Sequence, residues 1–310
     1  MRGFVAGVVV VVGVGTLVGL LDRVWWVFEI VDVFRLQYFV LLVAGALAAV
    51  VLRELRVAAV ALVLAVVNVA VFAETVRGRA ASPGNEATKG SLRLVVANVA
   101  VGNKDFAAVE RLVVQTRPDV LGVIELTPAM ARHLRVAFPR YRARVLDARG
   151  DAYGIGVYSR LPLLSARVVR FPADGGPPTV AARVRVAGRP VSVVVTHVRT
   201  PFAGSIHVRH LQALAAALSR LDERVVVCGD FNTPPWSGPL REFAADTRLR
   251  DLYGGRAWAG YTWPTWNWAL RVPLDNCFVS RGVVVIRHGV GPSDGSDHRP
   301  LVVDLALAQR

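Results

Sequence analysis

Three long apolar runs near the N-terminus restrict the fold, because they leave little polar surface for a water-soluble unit. Residues 3–21 contain no charged side chain and are long enough to cross a bilayer as a helix. Two further runs, 36–52 and 57–73, are interrupted only by Gln37 and Asn68. We therefore predict that the first 76 residues form a membrane anchor with about three transmembrane helices.

Two alternatives apply to these runs. Apolar helices can also pack as a buried pair in a soluble protein, but no polar face recurs here at helical spacing. The first run could be a cleaved signal peptide, but it lacks a small-x-small site before Asp22 and further apolar runs follow it. An uncleaved anchor is the interpretation we prefer.

The distribution of arginine predicts the orientation of the helices. Arg2 and the RELR connection at residues 53–56 should face the cytoplasm under the positive-inside rule. The connection at residues 22–35 carries acidic residues and two tryptophans that suit a membrane interface, so we place it outside. Three spans then put the C-terminal part of this multi-pass cell-membrane protein outside the cell, whereas two spans would leave it in the cytoplasm.

A polar segment separates the apolar region from the rest of the chain. Residues 77–91, RGRAASPGNEATKGS, are small, polar and turn-forming, and cannot bury enough surface to fold. We predict a linker here and a separate domain over residues 92–310.

The stretch VVVCGDFNTPP places Asp230 and Asn232 at the end of a hydrophobic run. The run predicts a buried strand, and the prolines after Thr233 stop it. A simple turn, in which Asp and Asn bond their own backbone, would explain this tetrapeptide equally well. Other segments repeat the pattern of an apolar run that delivers a polar residue. Their polar residues are Asn98, Glu125, His197, Asp275, Asp297 and His298.

This set resembles the endonuclease/exonuclease/phosphatase superfamily of metal-dependent phosphoesterases, whose fold is DNase I-like. The resemblance covers about residues 91–310 and includes YSRLPL at residues 158–163. It implies an α/β fold, a four-layered sandwich of two mixed sheets with helices outside, following the N-terminal transmembrane helices. It also implies metal ligands at Asn98, Glu125 and Asp297. The implied catalytic residues are His197, Asp230, Asn232, Asp275 and His298. One departure is Asn276, where many relatives have histidine.

Phosphate ester hydrolysis explains why such residues belong together. The ester oxygens repel an attacking water, so a catalyst must neutralise charge and orient the reactants. Oxygen ligands suit Mg²⁺, with Mn²⁺ as an alternative, and Glu125 is the first choice of ligand. Asp230 would orient or deprotonate the water, Asn232 and His197 would contact the phosphoryl group, and Asp275 would steer His298.

Three further features bear on substrate and compartment. After residue 90 the chain has 29 basic and 17 acidic residues, a balance that suits nucleic acid, anionic lipid or a phosphate-rich substrate. Cys228 and Cys277 lie in apolar runs, which favours buried free thiols, although a disulfide is conceivable. The segment WAGYTWPTWNW at residues 258–268 is either a packed loop or a loop that holds a lipid tail at the membrane.

The overall plan resembles the VanJ group of actinobacterial glycopeptide-resistance membrane proteins. That resemblance implies a hydrolase of undecaprenyl pyrophosphate outside the cell, linked to recycling of the cell-wall carrier and to teicoplanin-type resistance. Its partners would be a lipid-linked phosphate and the membrane. The alternatives are a membrane-anchored endonuclease or exonuclease, with nucleic acid as partner, a phospholipase C-like phosphodiesterase, and a catalytically silent binding protein.

Overall fold

The computed structural model describes residues 1–77, 91–172, 175–221, 224–252 and 260–308. Most of the predicted linker lies outside these residues. The N-terminal region forms four helices: α1 Arg2–Val18, α2 Trp26–Asp32, α3 Arg35–Val51 and α4 Leu55–Arg77.

Two of these helices are long and apolar enough to cross a membrane, over Arg2–Leu21 and Leu55–Thr75. The count becomes three if α2 and α3, which meet at a bend of 54°, form one broken span. The prediction of about three spans therefore depends on this pair, because α3 is short and α2 turns away from its axis. Composition and length support an anchor in the membrane.

The helices α1, α3 and α4 pack as a bundle around Val9, Leu42 and Ala61. Close packing at Gly13 explains that glycine, because a Cβ there would lie 2.7 Å from the Cδ1 atom of Leu64. At one end of the bundle Arg2 forms a 3.4 Å ion pair with Glu54, which joins the start of α1 to the α3–α4 connection.

The rest of the described chain forms two mixed six-stranded sheets. The first has the order β11-β12-β1-β2-β4-β3 and the second has the order β5-β6-β7-β8-β10-β9. Their strands are β1 Ser91–Asn98, β2 Val120–Ile124, β3 Ala143–Asp147, β4 Ile155–Ser159, β5 Leu163–Arg170, β6 Pro178–Val186, β7 Arg189–His197, β8 Val225–Asp230, β9 Arg250–Asp251, β10 Asp275–Val279, β11 Val283–Val290 and β12 Leu301–Leu307. In each sheet one central pair is parallel, β1 with β2 and β7 with β8, and the other pairs are antiparallel.

The valine-rich inner faces of the two sheets pack against each other and form the largest core. Helices α5 Phe106–Thr116 and α6 Pro128–Ala137 cover the outer face of the first sheet. Helices α7 Ser205–Leu218 and α8 Gly238–Thr247 cover the second. The predicted four-layered α/β sandwich is thus confirmed.

Side-chain caps fix where three of these helices begin. The side chains of Asp105, Thr127 and Ser237 accept hydrogen bonds from the backbone at the starts of α5, α6 and α8. Each cap satisfies a backbone donor that the helix cannot pair internally.

The preference for free thiols at Cys228 and Cys277 was wrong, because the two residues form a disulfide. They lie directly opposite each other on the antiparallel pair β8 and β10, with their Cα atoms 4.1 Å apart. Apolar surroundings suit a disulfide-bonded cysteine as well as a free thiol. Only the strand register, which brings the two cysteines opposite each other, shows that a disulfide can form.

Candidate functional site

The parallel strand pairs deliver the polar residues to one edge of the sandwich. Asn98 at the end of β1 is paired in register with Ile124, so Glu125 follows directly beside it. His197 at the end of β7 is paired with Asp230 at the end of β8. Because parallel strands end at the same edge, each sheet contributes two polar side chains to one place.

Backbone geometry at these strand ends is unusual. Glu125 and Asn232 have positive φ angles of 60° and 54°, a region that non-glycine residues seldom occupy. Gly229 allows β7 and β8 to approach closely, because a Cβ there would lie 1.9 Å from the carbonyl oxygen of Thr196. Positive φ at a polar residue beside a strand end is typical of functional sites.

Asn98 links the two sheets. Its Nδ2 atom donates to Glu125 Oε1 and to Asp230 Oδ2, each at 3.0 Å. Its Oδ1 atom accepts from the backbone of Ala100 at 3.1 Å, and Glu125 Oε2 accepts from the backbone of Val101 at 2.7 Å. One amide therefore holds two carboxylates, one from each sheet.

Asp230 lies between two histidines. Its Oδ2 atom is 3.6 Å from His197 Nε2 and 3.7 Å from His298 Nε2. The Nδ1 atom of His197 donates to the carbonyl of Ala152 at 3.0 Å, since a carbonyl can only accept, and this orients Nε2 toward Asp230. The Oδ1 atom of Asp230 accepts from the backbone of Asn232 at 2.8 Å.

Asp275 and His298 are in direct contact. The two side chains are buried, and His298 Nδ1 lies 2.8 Å from Asp275 Oδ2. Burial by itself would lower the pKa of His298, but the charges of Asp275 and Asp230 outweigh it and raise the pKa to about 10. His298 is therefore cationic at neutral pH.

The remaining predicted residues lie nearby. The Nδ2 atom of Asn232 gives one hydrogen to the carbonyl of Val198 at 2.8 Å, which leaves its second hydrogen for another acceptor. Asp297 precedes His298, and its Oδ2 atom accepts from Trp263 Nε1 at 3.1 Å. Asn276, the departure from the family pattern, donates to the carbonyls of Pro273 and Leu274, which lie just before it in the chain.

The donor atoms suit a divalent cation. Among the described residues, ligand atoms of Asp230, Asp275 and His298 lie within 4.8 Å of one another. Glu125 and Asp297 lie outside that group, although Glu125 shares the amide of Asn98 with Asp230. Carboxylate and amide oxygens are ligands for Mg²⁺ or Mn²⁺, and an unprotonated imidazole nitrogen can also bind a divalent cation.

Sequence reasoning missed two residues that lie near the site, Tyr153 beside His197 and Asp294, whose charge interacts with those of Asp275 and His298. The ring of Tyr153 lies 5.7 Å from that of His197, and the guanidinium of Arg199 lies 4.8 Å above Tyr153. Asp294 is fully buried, and burial raises its pKa to about 7. Neither Tyr153 nor Asp294 ends an apolar run, so the signal that identified the other residues does not apply to them.

The aromatic loop after residue 260 forms one wall of the site and touches the N-terminal helices. Trp263 binds Asp297, while Gln37 on α3 donates to the carbonyls of Ala269 and Arg271 at 3.2 and 3.1 Å. Trp266 and Trp268 on this loop are 71% and 82% exposed. Trp258, at the start of the aromatic segment, lies outside the described residues.

Comparison with known proteins identifies the fold. The family model described as "Endonuclease/Exonuclease/phosphatase family" matches residues 95–298. No curated protein sequence matches the chain.

Solved structures with the same fold are distant in sequence. TDP2 of D. rerio complexed with single strand DNA product is 18% identical, with a TM-score of 0.57 over 70% of this chain and 99% of that chain. The catalytic domain of human Nocturnin with bound sulfate is 17% identical, with a TM-score of 0.58 over 72% and 96%. A family protein from Bacteroides thetaiotaomicron is 17% identical, with a TM-score of 0.59 over 72% and 100%.

Proposed function

The chain belongs to the Endonuclease/Exonuclease/phosphatase family, and from this we propose that it is a membrane-anchored, Mg²⁺-dependent hydrolase of lipid-linked phosphates. Members of this family are hydrolases that act on phosphoester bonds. The carboxylates, amides and histidines at the sandwich edge have the chemistry that such hydrolysis requires.

The main support for a lipid-linked substrate is the contact between the site and the anchor. One loop binds Asp297 through Trp263 and binds α3 through Gln37. Its exposed Trp266 and Trp268 have the amphipathic rings that favour the membrane interface. This arrangement favours a phosphate presented at the membrane surface over one that diffuses in solution.

Two observations support a catalytic domain outside the cell. Arg2 and Glu54 pair at the bundle end away from the sandwich. Arg53 in the α3–α4 connection and Arg56 at the start of α4 lie at the same end, which the positive-inside rule places in the cytoplasm. The disulfide between Cys228 and Cys277 suits an oxidising compartment.

The residues take the following roles in the proposed mechanism. Glu125 and Asn98, with Asp297, would hold Mg²⁺, which when bound supplies positive charge beside the phosphoryl oxygens. Asp230 accepts the proton of the attacking water. The cationic ring of His298 stabilises charge on the phosphoryl group, and Asp275 holds that ring in place.

His197 and Asn232 orient the substrate in this mechanism. The carbonyl of Ala152 fixes the proton on His197 Nδ1, so that Nε2 faces Asp230 and the reacting group. The free hydrogen of the Asn232 amide donates to a phosphoryl oxygen. The contact from the Asn232 amide strengthens as negative charge develops on the phosphoryl oxygens.

We propose undecaprenyl pyrophosphate as the substrate. Support comes from the resemblance of the whole plan, anchor, linker and sandwich, to the VanJ group, together with GDFNTPPW and the aromatic loop. Release of phosphate outside the cell would recycle the carrier of wall precursors and contribute to teicoplanin-type resistance.

The test uses the purified full-length protein in detergent with Mg²⁺. Phosphate release from undecaprenyl pyrophosphate is measured beside nicking of supercoiled DNA, with Glu125→Gln as the inactive control. We expect release of phosphate that requires Mg²⁺ and is lost in Glu125→Gln, without nicking. Nicking without phosphate release would overturn the lipid substrate and identify a membrane-anchored nuclease.

A further inference from the structure

The short helix α2 of the anchor packs against the loop that follows Asp230. This loop comprises residues 231–238 and is called the 231–238 loop below. The side chain of Asp22 accepts a hydrogen bond from the backbone of Gly238, and the carbonyl of Asp32 accepts from Trp236 Nε1 at 2.9 Å. Polar groups of the anchor therefore meet the loop that contains Asn232.

Glu29 lies at the centre of this contact and is 1% exposed. Its Oε1 atom accepts from Thr233 Oγ1 at 2.8 Å and from His207 Nε2 at 3.1 Å. Both partners are fully buried. A buried carboxylate is costly unless its hydrogen bonds are made, so this arrangement requires the anchor and the sandwich to keep one relative position.

Thr233 connects Glu29 to one side of the site. It follows Asn232, whose backbone donates to Asp230 Oδ1 and whose amide donates to the carbonyl of Val198. Movement of Thr233 would therefore move the Asn232 amide and the hydrogen bond that orients the Asp230 carboxylate.

His207 connects Glu29 to the other side of the site. Its Nδ1 atom contacts the carbonyl of Arg199, two residues after His197. Since a carbonyl and a carboxylate only accept, the two contacts favour a His207 ring with a proton on each nitrogen, in an ion pair with Glu29. Glu29 thus supports the segments that follow both β7 and β8.

We propose that Glu29 is a positioning residue through which the membrane anchor holds the active-site loops in their working geometry. The anchor is then part of the support of the site and not only a tether. This proposal rests on the proposed hydrolase function, but it does not depend on which phosphate ester is cut.

The test compares Glu29→Gln with wild type in the full-length protein, using bis(p-nitrophenyl) phosphate, undecaprenyl pyrophosphate and supercoiled DNA. Glutamine keeps the shape and one acceptor but removes the charge that pairs with His207. We expect kcat to fall at least about tenfold on whichever substrate is cut, including a soluble one, with KM changed less than about twofold. Glu29→Asp should restore part of kcat, because it restores the charge.

The matched control is Glu54→Gln, which removes an anchor glutamate at the far end of the bundle. It should leave kcat unchanged. Unchanged kcat in Glu29→Gln, or a loss that the unfolded fraction fully explains, would overturn the proposal.

A second measurement separates this proposal from the proposed function. Hydrogen exchange of the 231–238 loop should become faster in Glu29→Gln and not in Glu54→Gln, whether or not a substrate has been found. If wild type cuts none of the three substrates, the proposed function fails, and faster exchange still supports positioning. If exchange is unchanged in Glu29→Gln, the positioning proposal fails.

Discussion

Removal of the disulfide between Cys228 and Cys277 should destabilise the sandwich without dismantling the site. The two cysteines are 49 residues apart in the chain, so the bond closes a loop of about 50 residues in the unfolded state. Chain entropy then predicts a loss of about 4 kcal/mol from the free energy of unfolding at 25 °C. For a domain of this size, that corresponds to a fall in Tm of about 8–16 °C.

The site itself should survive at low temperature. Asp275 and Asp230 are paired in register two residues from the cysteine pair, and the backbone hydrogen bonds of β8 and β10 hold them without the disulfide. We therefore expect the Cys228→Ala/Cys277→Ala protein to retain most of its kcat at 20 °C, in contrast to its lower Tm.

The assay is thermal unfolding of the full-length protein in detergent, with and without a reducing agent. Wild type should lose stability when it is reduced, and the double variant should not respond. A double variant that melts within about 2 °C of wild type would refute the entropic argument. An equal effect of reductant on both proteins would show that the cross-link is not the cause.

Three other predictions concern charge and lipid contact. Asp275→Asn should lower the pKa of His298 from about 10 toward 7, because it removes the nearest negative charge. A pH profile of kcat should then show a larger loss at pH 8 than at pH 6, and an equal loss at both pH values would contradict this prediction. Burial lowers the pKa of His210 to about 3, so the folded protein binds fewer protons than the unfolded chain between that pH and about pH 6.5. The contribution of His210 to the free energy of unfolding is therefore fully present above about pH 6.5, and it falls by about 2 kcal/mol at pH 5. His210→Asn should weaken this fall, measured as the difference in Tm between pH 7.5 and 5, and an unchanged difference would rule out His210 as the source. Trp266→Ala/Trp268→Ala should impair hydrolysis of a lipid-linked pyrophosphate at least about fivefold and spare a soluble ester, because the exposed rings contribute only by contact with the membrane interface. Equal effects on the two substrates would reject lipid contact.

Several of the predicted site residues were recognisable in the sequence because they end an apolar run. A polar side chain at such a position has no use in a core, so Asn98, Glu125, His197 and Asp230 could be found without knowing how the strands pair. The sandwich followed from the resemblance, since strand order depends on contacts far apart in the chain.

Other features depend on pairing that the sequence does not encode locally. Cys228 faces Cys277 only because β8 and β10 pair in one register. Glu29 meets Thr233 only because α2 turns away from the axis of α3 and packs against the sandwich. Such tertiary contacts have no periodicity that reasoning along the chain could detect.

The amide of Asn98 donates to carboxylates from both sheets, so the site lies where the two halves of the fold, one sheet each, meet. A ligand that touches both Glu125 and Asp230 finds a complete binding surface only when the halves are assembled. Such a ligand must raise the temperature at which the halves separate. Melting curves recorded with different cations and phosphorylated lipids could therefore rank candidate ligands before any turnover is detected.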